Sequence, residues 1–389
     1  MQVLNFPSRK LNKKKLITFI SVCSLLFILL VMSIIYAFNS SFRAFIDIYI
    51  FRKEIKSDNL ITIKISSNED SYFHAYDKYI SILNKNILSI YNHSGEIIKE
   101  NDINITHPIF ASNNKFLAIG ETGGNNLYFI SGTNIAWQTT VDGNISKINV
   151  NKNGYVSVIV SGTSYKSVII LMNPKGKELF KTYLSSNIAI DTDVSNDNKY
   201  FSIAEIDYSG SIVKSMVKNI SIEKAKTDPT NSVIHNYELP ENTLLTDIKY
   251  QDKNKLVCMC VNGIYSFDIS DFSNEKILEI NNFEFIDINL KNNLVYTKND
   301  SRGFSNIPHV NIFDINHTSL NTYKFNGSIK SIFSYDEKVA INTGSEVHFI
   351  GLNGWLIKKY ESYTEISNII LSNNIAGIIY KDKIEIIEI

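Results

Sequence analysis

From residue 59 onward the chain is written in short runs of Val, Ile, Tyr, Phe and Thr, separated by clusters of Asn, Asp, Gly, Ser and Lys. Runs of this length and composition read as strands bounded by turns. No segment of this stretch combines helical spacing of apolar residues with helix-capping residues. The runs also repeat. "ASNNKFLAIG" (111–120) returns as "LSNNIAGIIY" (371–380), each a tight polar turn followed by an apolar strand. Degraded copies stand at 75–83, 149–160, 194–206, 250–261, 290–298 and 334–342. A second series, of strand, turn and strand, interleaves with the first at 86–100, 126–140, 167–183, 263–280, 310–325 and 346–360. A weaker member at 215–239 has a stretched polar turn, 222–232, expected to project as a tolerated insertion. The two series together give four strands per repeat of roughly 36 to 56 residues, the mark of a β-propeller. The expected fold is all-β with eight four-stranded blades, and seven is the count if the weak unit at 215–239 is misread.

The eighth repeat runs out after its third strand, "KDKIEIIEI", while "NLITIKI" (59–65) is a β-run with no repeat of its own. Open strand edges are aggregation hazards, so a ring must hide its seam. The strand at 59–65 is therefore expected to complete the last blade beside 383–389.

Ahead of the repeats the pattern changes. Residues 16–38 are apolar and uncharged, long enough for a helix to span a bilayer core. The run exceeds a signal-peptide core and no clean A-x-A site follows it, which favours an uncleaved signal anchor. Arg9, Lys10, Lys13, Lys14 and Lys15 precede it with no acidic residue among them. The positive-inside rule then assigns residues 1–15 to the cytoplasm as a basic tail, 16–38 to the membrane, and everything after to the outside. Phe42, Phe45, Ile46, Tyr49 and Ile50 recur at helical spacing, so 39–58 reads as a juxtamembrane linker with helical character, and 59–389 as the extracytoplasmic propeller.

Charge narrows the function classes. Lys+Arg and Asp+Glu number 39 each in 389 residues. Removing the basic tail leaves the exported part at about −5, with no basic face for nucleic acid and no electrostatic pull toward anionic lipid. The three cysteines offer little chemistry: Cys23 lies in the apolar run, and Cys258 and Cys260 sit on one face of a strand without a CxxC or a nearby His. They read as small buried hydrophobes. The Asn-x-Ser/Thr triplets at Asn104, Asn144 and Asn219 follow from the abundance of Asn.

Trp137 in "GTNIAW" and Trp355 in "GLNGW" begin outer strands, where they are expected to pack between blades. With the hairpin repeats, these two stretches resemble the WD40-like and quinoprotein-like propeller superfamily over residues 59–389. The anchor followed by eight degenerate blades also resembles an uncharacterised family of membrane-anchored propellers from clostridia and related Gram-positive bacteria. The resemblance implies a fold and a compartment, and brings no catalytic residues. No Trp-Asp dipeptide occurs, and the other hairpins lack the Trp, so quinone binding is not implied.

No nucleophile-elbow, HExxH, P-loop or EF-hand pattern is present, and the seven His are scattered singly. We therefore expect no catalytic residue, no metal ligand and no cofactor site. The loop 298–309 joins a second strand to a third on the face where blade-to-blade connections also open. Its Asp300, Arg302 and Phe304 are the expected partner-contact residues. The "DYSGSI" loop at Asp207 and "GETGGNN" (120–126) fall on the same face. The reading is a non-enzymatic scaffold tethered to the bilayer through 16–38, which presents loops to a protein or cell-envelope partner. The alternative is a propeller enzyme, quinone-dependent or carbohydrate-active, with its site in the funnel.

Overall fold

In the computed structural model the chain is described at residues 13–51, 53–56, 60–65, 70–279, 283–300, 307–316, 319–325 and 327–389. It divides into two compact units, one ending at Glu54 and the other running from Ile55 onward.

The N-terminal unit holds the helix α1, Lys13–Phe38. Its stretch Lys14–Phe38 is apolar and long enough to cross a membrane, and side chains such as Phe19, Leu25 and Phe27 are exposed on it. The Asn39 side chain accepts the Phe42 N–H and caps a second helix, α2, Ser40–Phe45. A single π-helical turn, Ile46–Ile50, continues it. Asp47 on that turn accepts a hydrogen bond from Tyr36 (2.7 Å) and pairs with Lys53 (2.8 Å). The helical spacing read at 42–50 is thus real helix.

The second unit is an eight-bladed propeller. The blades cover residues 71–102, 108–140, 144–184, 188–238, 245–279, 283–324 and 331–361, and the eighth is built from 368–388 with 61–64. Within each of the first seven blades the four consecutive strands are antiparallel neighbours in chain order. Ile61–Lys64 lies beside Lys383–Glu388, in the register Ile61↔Ile386, Thr62↔Glu385, Ile63↔Ile384 and Lys64↔Lys383. The expected seam is closed as expected. One strand was not foreseen: Glu54–Lys56, inside the segment read as linker, adds a fifth strand to the outer edge of blade seven.

The repeated phrase marks the turn from first to second strand in every blade. These turns place Asp77, Asn114, Asn198, Asn292 and Asp336 at positive φ between 48 and 59°. Asn and Asp tolerate that left-handed conformation better than other residues with a Cβ, which is why the turns are rich in them.

The hydrophobic core lies between blades. Leu127 and Phe129 of blade two pack with Val156, Val158, Val168 and Ile170 of blade three in one buried cluster. Trp137 does what its position predicts. It stacks on Phe129 (centroids 4.9 Å apart, planes 11°) and donates its indole N–H to the Pro174 carbonyl of the next blade (3.1 Å). The ring is partly buried, so it contributes about 1–2 kcal/mol by area. The stretched turn in blade four is less polar than the sequence suggests. It folds into a helical turn, Ile222–Ala225, which buries Ile222 and Ala225 against Phe180 and Phe201.

Candidate functional site

First strands and first turns from all eight blades surround the axis and line a central cavity of about 830 Å³. A smaller chamber of about 310 Å³ is lined by the inner strands of blades three to six. The wider cavity reaches the rim of first turns, where Asn114, Lys152, Asn196, Asn292 and Asn373 stand.

The strands Ile188–Val194, Leu245–Tyr250 and Phe283–Asp287 carry aspartates among apolar residues. Three of these carboxylates accept hydrogen bonds from the main chain of the following blade. Asp191 takes the Ile248 N–H (2.9 Å), Asp193 the Tyr250 N–H (2.6 Å) and Asp287 the Ser334 N–H (3.2 Å). Side-chain amides do related work. Asn149 donates to the Thr192 carbonyl (2.7 Å), and Gln251 donates to the Ile288 carbonyl and accepts the Asn292 N–H (2.8 Å each). These groups latch neighbouring inner strands to one another. Burial pushes the Asp191 and Asp287 carboxyls above the ordinary range and Asp193 up to about 6, although the N–H donors oppose it. Lys147 bridges Asp191 (2.9 Å) and Asp247 (3.1 Å), linking blades three, four and five.

The histidines that the structure describes in detail are built into packing. His74 stacks on Phe110 (5.3 Å, 9°) and bonds Ser112 (2.8 Å), and burial lowers its pKa to about 4, so it is neutral at physiological pH. His348 sits between Tyr323 (2.8 Å) and Glu346 (2.9 Å). His348 and Lys359 hold the Glu346 carboxyl down at about 2. Cys258 and Cys260 are buried free thiols, with Cys260 pushed up to about 12 by burial. Among the described residues, no group of three or more His, Cys, Asp or Glu is placed to hold a metal.

Of the expected contact residues, Asp300 ends the second strand of blade six, with its backbone opposite Ile307. Arg302 and Phe304 lie outside the described residues. The equivalent loops of blades three and four carry a feature the sequence reading missed. Tyr165 and Tyr183 pack together (4.8 Å), and Lys166 lies over the Tyr208 ring (3.9 Å). All three tyrosines are exposed, as are the nearby Ile188, Ile212 and Val213. The signal is legible as Tyr in two loops joining second to third strands, "SGTSYKS" and "DYSGSI", but nothing in the sequence says that Lys166 of the first reaches Tyr208 of the second.

The family model DUF5711, described as a family of unknown function, matches residues 52–389. No curated protein matches the chain in sequence. Among solved structures, BamB from Moraxella catarrhalis is similar at 11% identity, with a TM-score of 0.51 over 85% of this chain and 99% of that one. Hydrazine synthase from Kuenenia stuttgartiensis aligns at 11% identity over 80% of this chain and 92% of its own, with a TM-score of 0.43. The Cps50 (Swd1) β-propeller domain from Myceliophteria thermophila aligns at 10% identity over 85% of this chain and all of its own, also with a TM-score of 0.43. At these identities the BamB likeness speaks for the propeller fold alone.

Proposed function

The chain belongs to the DUF5711 family of unknown function, and from that premise we propose that it is a membrane-tethered scaffold whose propeller binds a protein or cell-envelope partner outside the cell. The apolar span Lys14–Phe38 supports the tether, and the basic residues before it support an outside propeller. The observation that carries the binding role is the exposed group of Tyr165, Tyr183 and Tyr208, presented by two adjacent blades, with Tyr183 on the fourth strand of blade three. Tyrosine is enriched at the centres of interfaces, because it brings a large rigid contact area with a polar tip. The loop 298–309, with Asp300, Arg302 and Phe304, leaves the same face of the ring by topology and is proposed as part of the contact surface. The channel carboxylates support the non-enzymatic reading in a positive way, since Asp191, Asp193 and Asp287 are engaged in holding blades together.

Photo-crosslinkers placed in cells at Tyr208 and Arg302, and at Asn114 and Asp252 on the opposite rim, test this. The expected result is one discrete adduct from the first pair and none from the second. Capture only from Asn114 and Asp252 would overturn the choice of face. No adduct from any position would overturn the scaffold reading.

A further inference from the structure

The chamber between blades three and six holds one charged group without a partner among the described residues and one that is only half engaged. Asp191, Asp193 and Asp287 are engaged by main-chain N–H groups, and Lys147 by its two aspartates. What remains is on one strand. Asp247 gives one oxygen to Lys147, and its other oxygen has no partner among the described residues; the side chain is 39% exposed, against 5% for Asp191. Lys249 lines both cavities and forms no hydrogen bond or ion pair with a described residue. Its charge acts on Asp193 without contact. A half-exposed ammonium with no counter-charge in contact is available to an anionic group that enters the chamber.

Asp247 and Lys249 stand two apart on the strand Leu245–Tyr250, so they share the channel face with Cα atoms about 6.5–7 Å apart. One is a half-used anion and the other a free cation. A ligand with a single charge would leave one of them unmatched. A ligand with both charges a few ångströms apart satisfies the pair, its ammonium on Asp247 and its carboxylate on Lys249. We propose that this chamber is a binding site for a small zwitterion, a free amino acid or a dipeptide. The chamber's volume, about 310 Å³, lies at the small end of the range for ligand sites, which suits a ligand of that size. This site is separate from the tyrosine face and does not depend on it.

The test is calorimetric titration of the full chain in detergent micelles at neutral pH, with melting shifts as a second readout. The probes are glycylglycine, glycine, acetate and methylamine. The two zwitterions are expected to bind saturably, and acetate and methylamine about tenfold or more weakly. Lys249→Met keeps the aliphatic stem, and Asp247→Asn keeps the shape. Each should weaken binding about ten- to hundredfold, the loss that goes with one charge-assisted hydrogen bond. An unchanged cooperative melt without ligand shows that either variant is folded, and one folded variant is enough to decide. Three outcomes would overturn the site: methylamine or acetate binding as tightly as glycylglycine, affinity unchanged in a folded variant, or neither zwitterion producing heat or a melting shift.

Discussion

Joining Lys64 to Lys383 by a disulfide tests the closure of the ring. The two residues face each other across the seam, in an antiparallel register that places Cα atoms about 4.5–5.5 Å apart. That separation suits a disulfide without backbone movement. Cys258 and Cys260 are buried, so a Cys23→Ser background leaves the new pair as the accessible thiols. The bridge closes a loop of about 320 residues, nearly the whole propeller. In the chain-entropy account a loop of that length stabilises by about 5–6 kcal/mol at room temperature. Comparing the oxidised and reduced forms of one variant cancels the cost of removing Lys383 from Glu385, which it meets at 2.5 Å. The assay is guanidinium unfolding of the full chain in detergent, followed through Trp137 and Trp355, which sit in blades two and seven. Oxidation should be near complete and should raise the midpoint with little change in native fluorescence. The reasoning fails if the K64C/K383C pair stays reduced while the off-register pair T62C/K383C oxidises. It fails equally if the bridge forms and the midpoint does not move.

Two carboxylates should give opposite pH slopes. Asp193, pushed up to about 6, keeps its proton in the folded state above the unfolded value of about 3.9, so its contribution is full below that value and is lost as pH climbs toward 6. Glu346, held near 2, contributes fully above the unfolded value of about 4.3 and loses that contribution as pH falls toward 2. Melting temperatures across this range should show Asp193→Asn gaining on the parent as pH rises and Glu346→Gln falling behind it; parallel curves would refute both assignments. Gly176→Ala should destabilise by about 1–3 kcal/mol, because φ is +76° and the added Cβ would stand 2.8 Å from the Trp137 ring. A denaturation midpoint equal to the parent's would show that the Trp137 contact is not formed.

The ring was readable in the sequence because it rests on local signals. Most first turns hold a residue at positive φ, so Asn and Asp mark blades even where the strands have drifted, as at Asn114, Asn198 and Asn292. The closing strand could be deduced by counting, since blade eight lacked a fourth strand and 61–64 had no other partner. The extra strand at Glu54–Lys56 left no signal, because three residues are too few to show a period. The channel was hidden for a different reason. Lys147 and Asp247 meet across 100 positions of sequence, and alternation on one strand says nothing about which blade it faces. A clue was present all the same: "IAIDTDV" and "EFIDIN" place charges within inner-strand runs whose neighbours are apolar. Topology alone marks the loop 298–309 in the sequence, and the tyrosines of blades three and four leave no mark there because the contact of Lys166 with Tyr208 is not local.

The latches along the channel also account for how far the blades have been free to diverge. Asp191, Asp193 and Asp287 each grip a peptide N–H of the next blade rather than a side chain. Every residue but proline offers that group, so the receiving strand can exchange its side chains and still be recognised by its neighbour. Such a joint constrains mutation on one partner only. A propeller assembled this way can lose the resemblance among its repeats while keeping its circle intact, and its modules would tolerate swapping wherever the accepting aspartate travels with them.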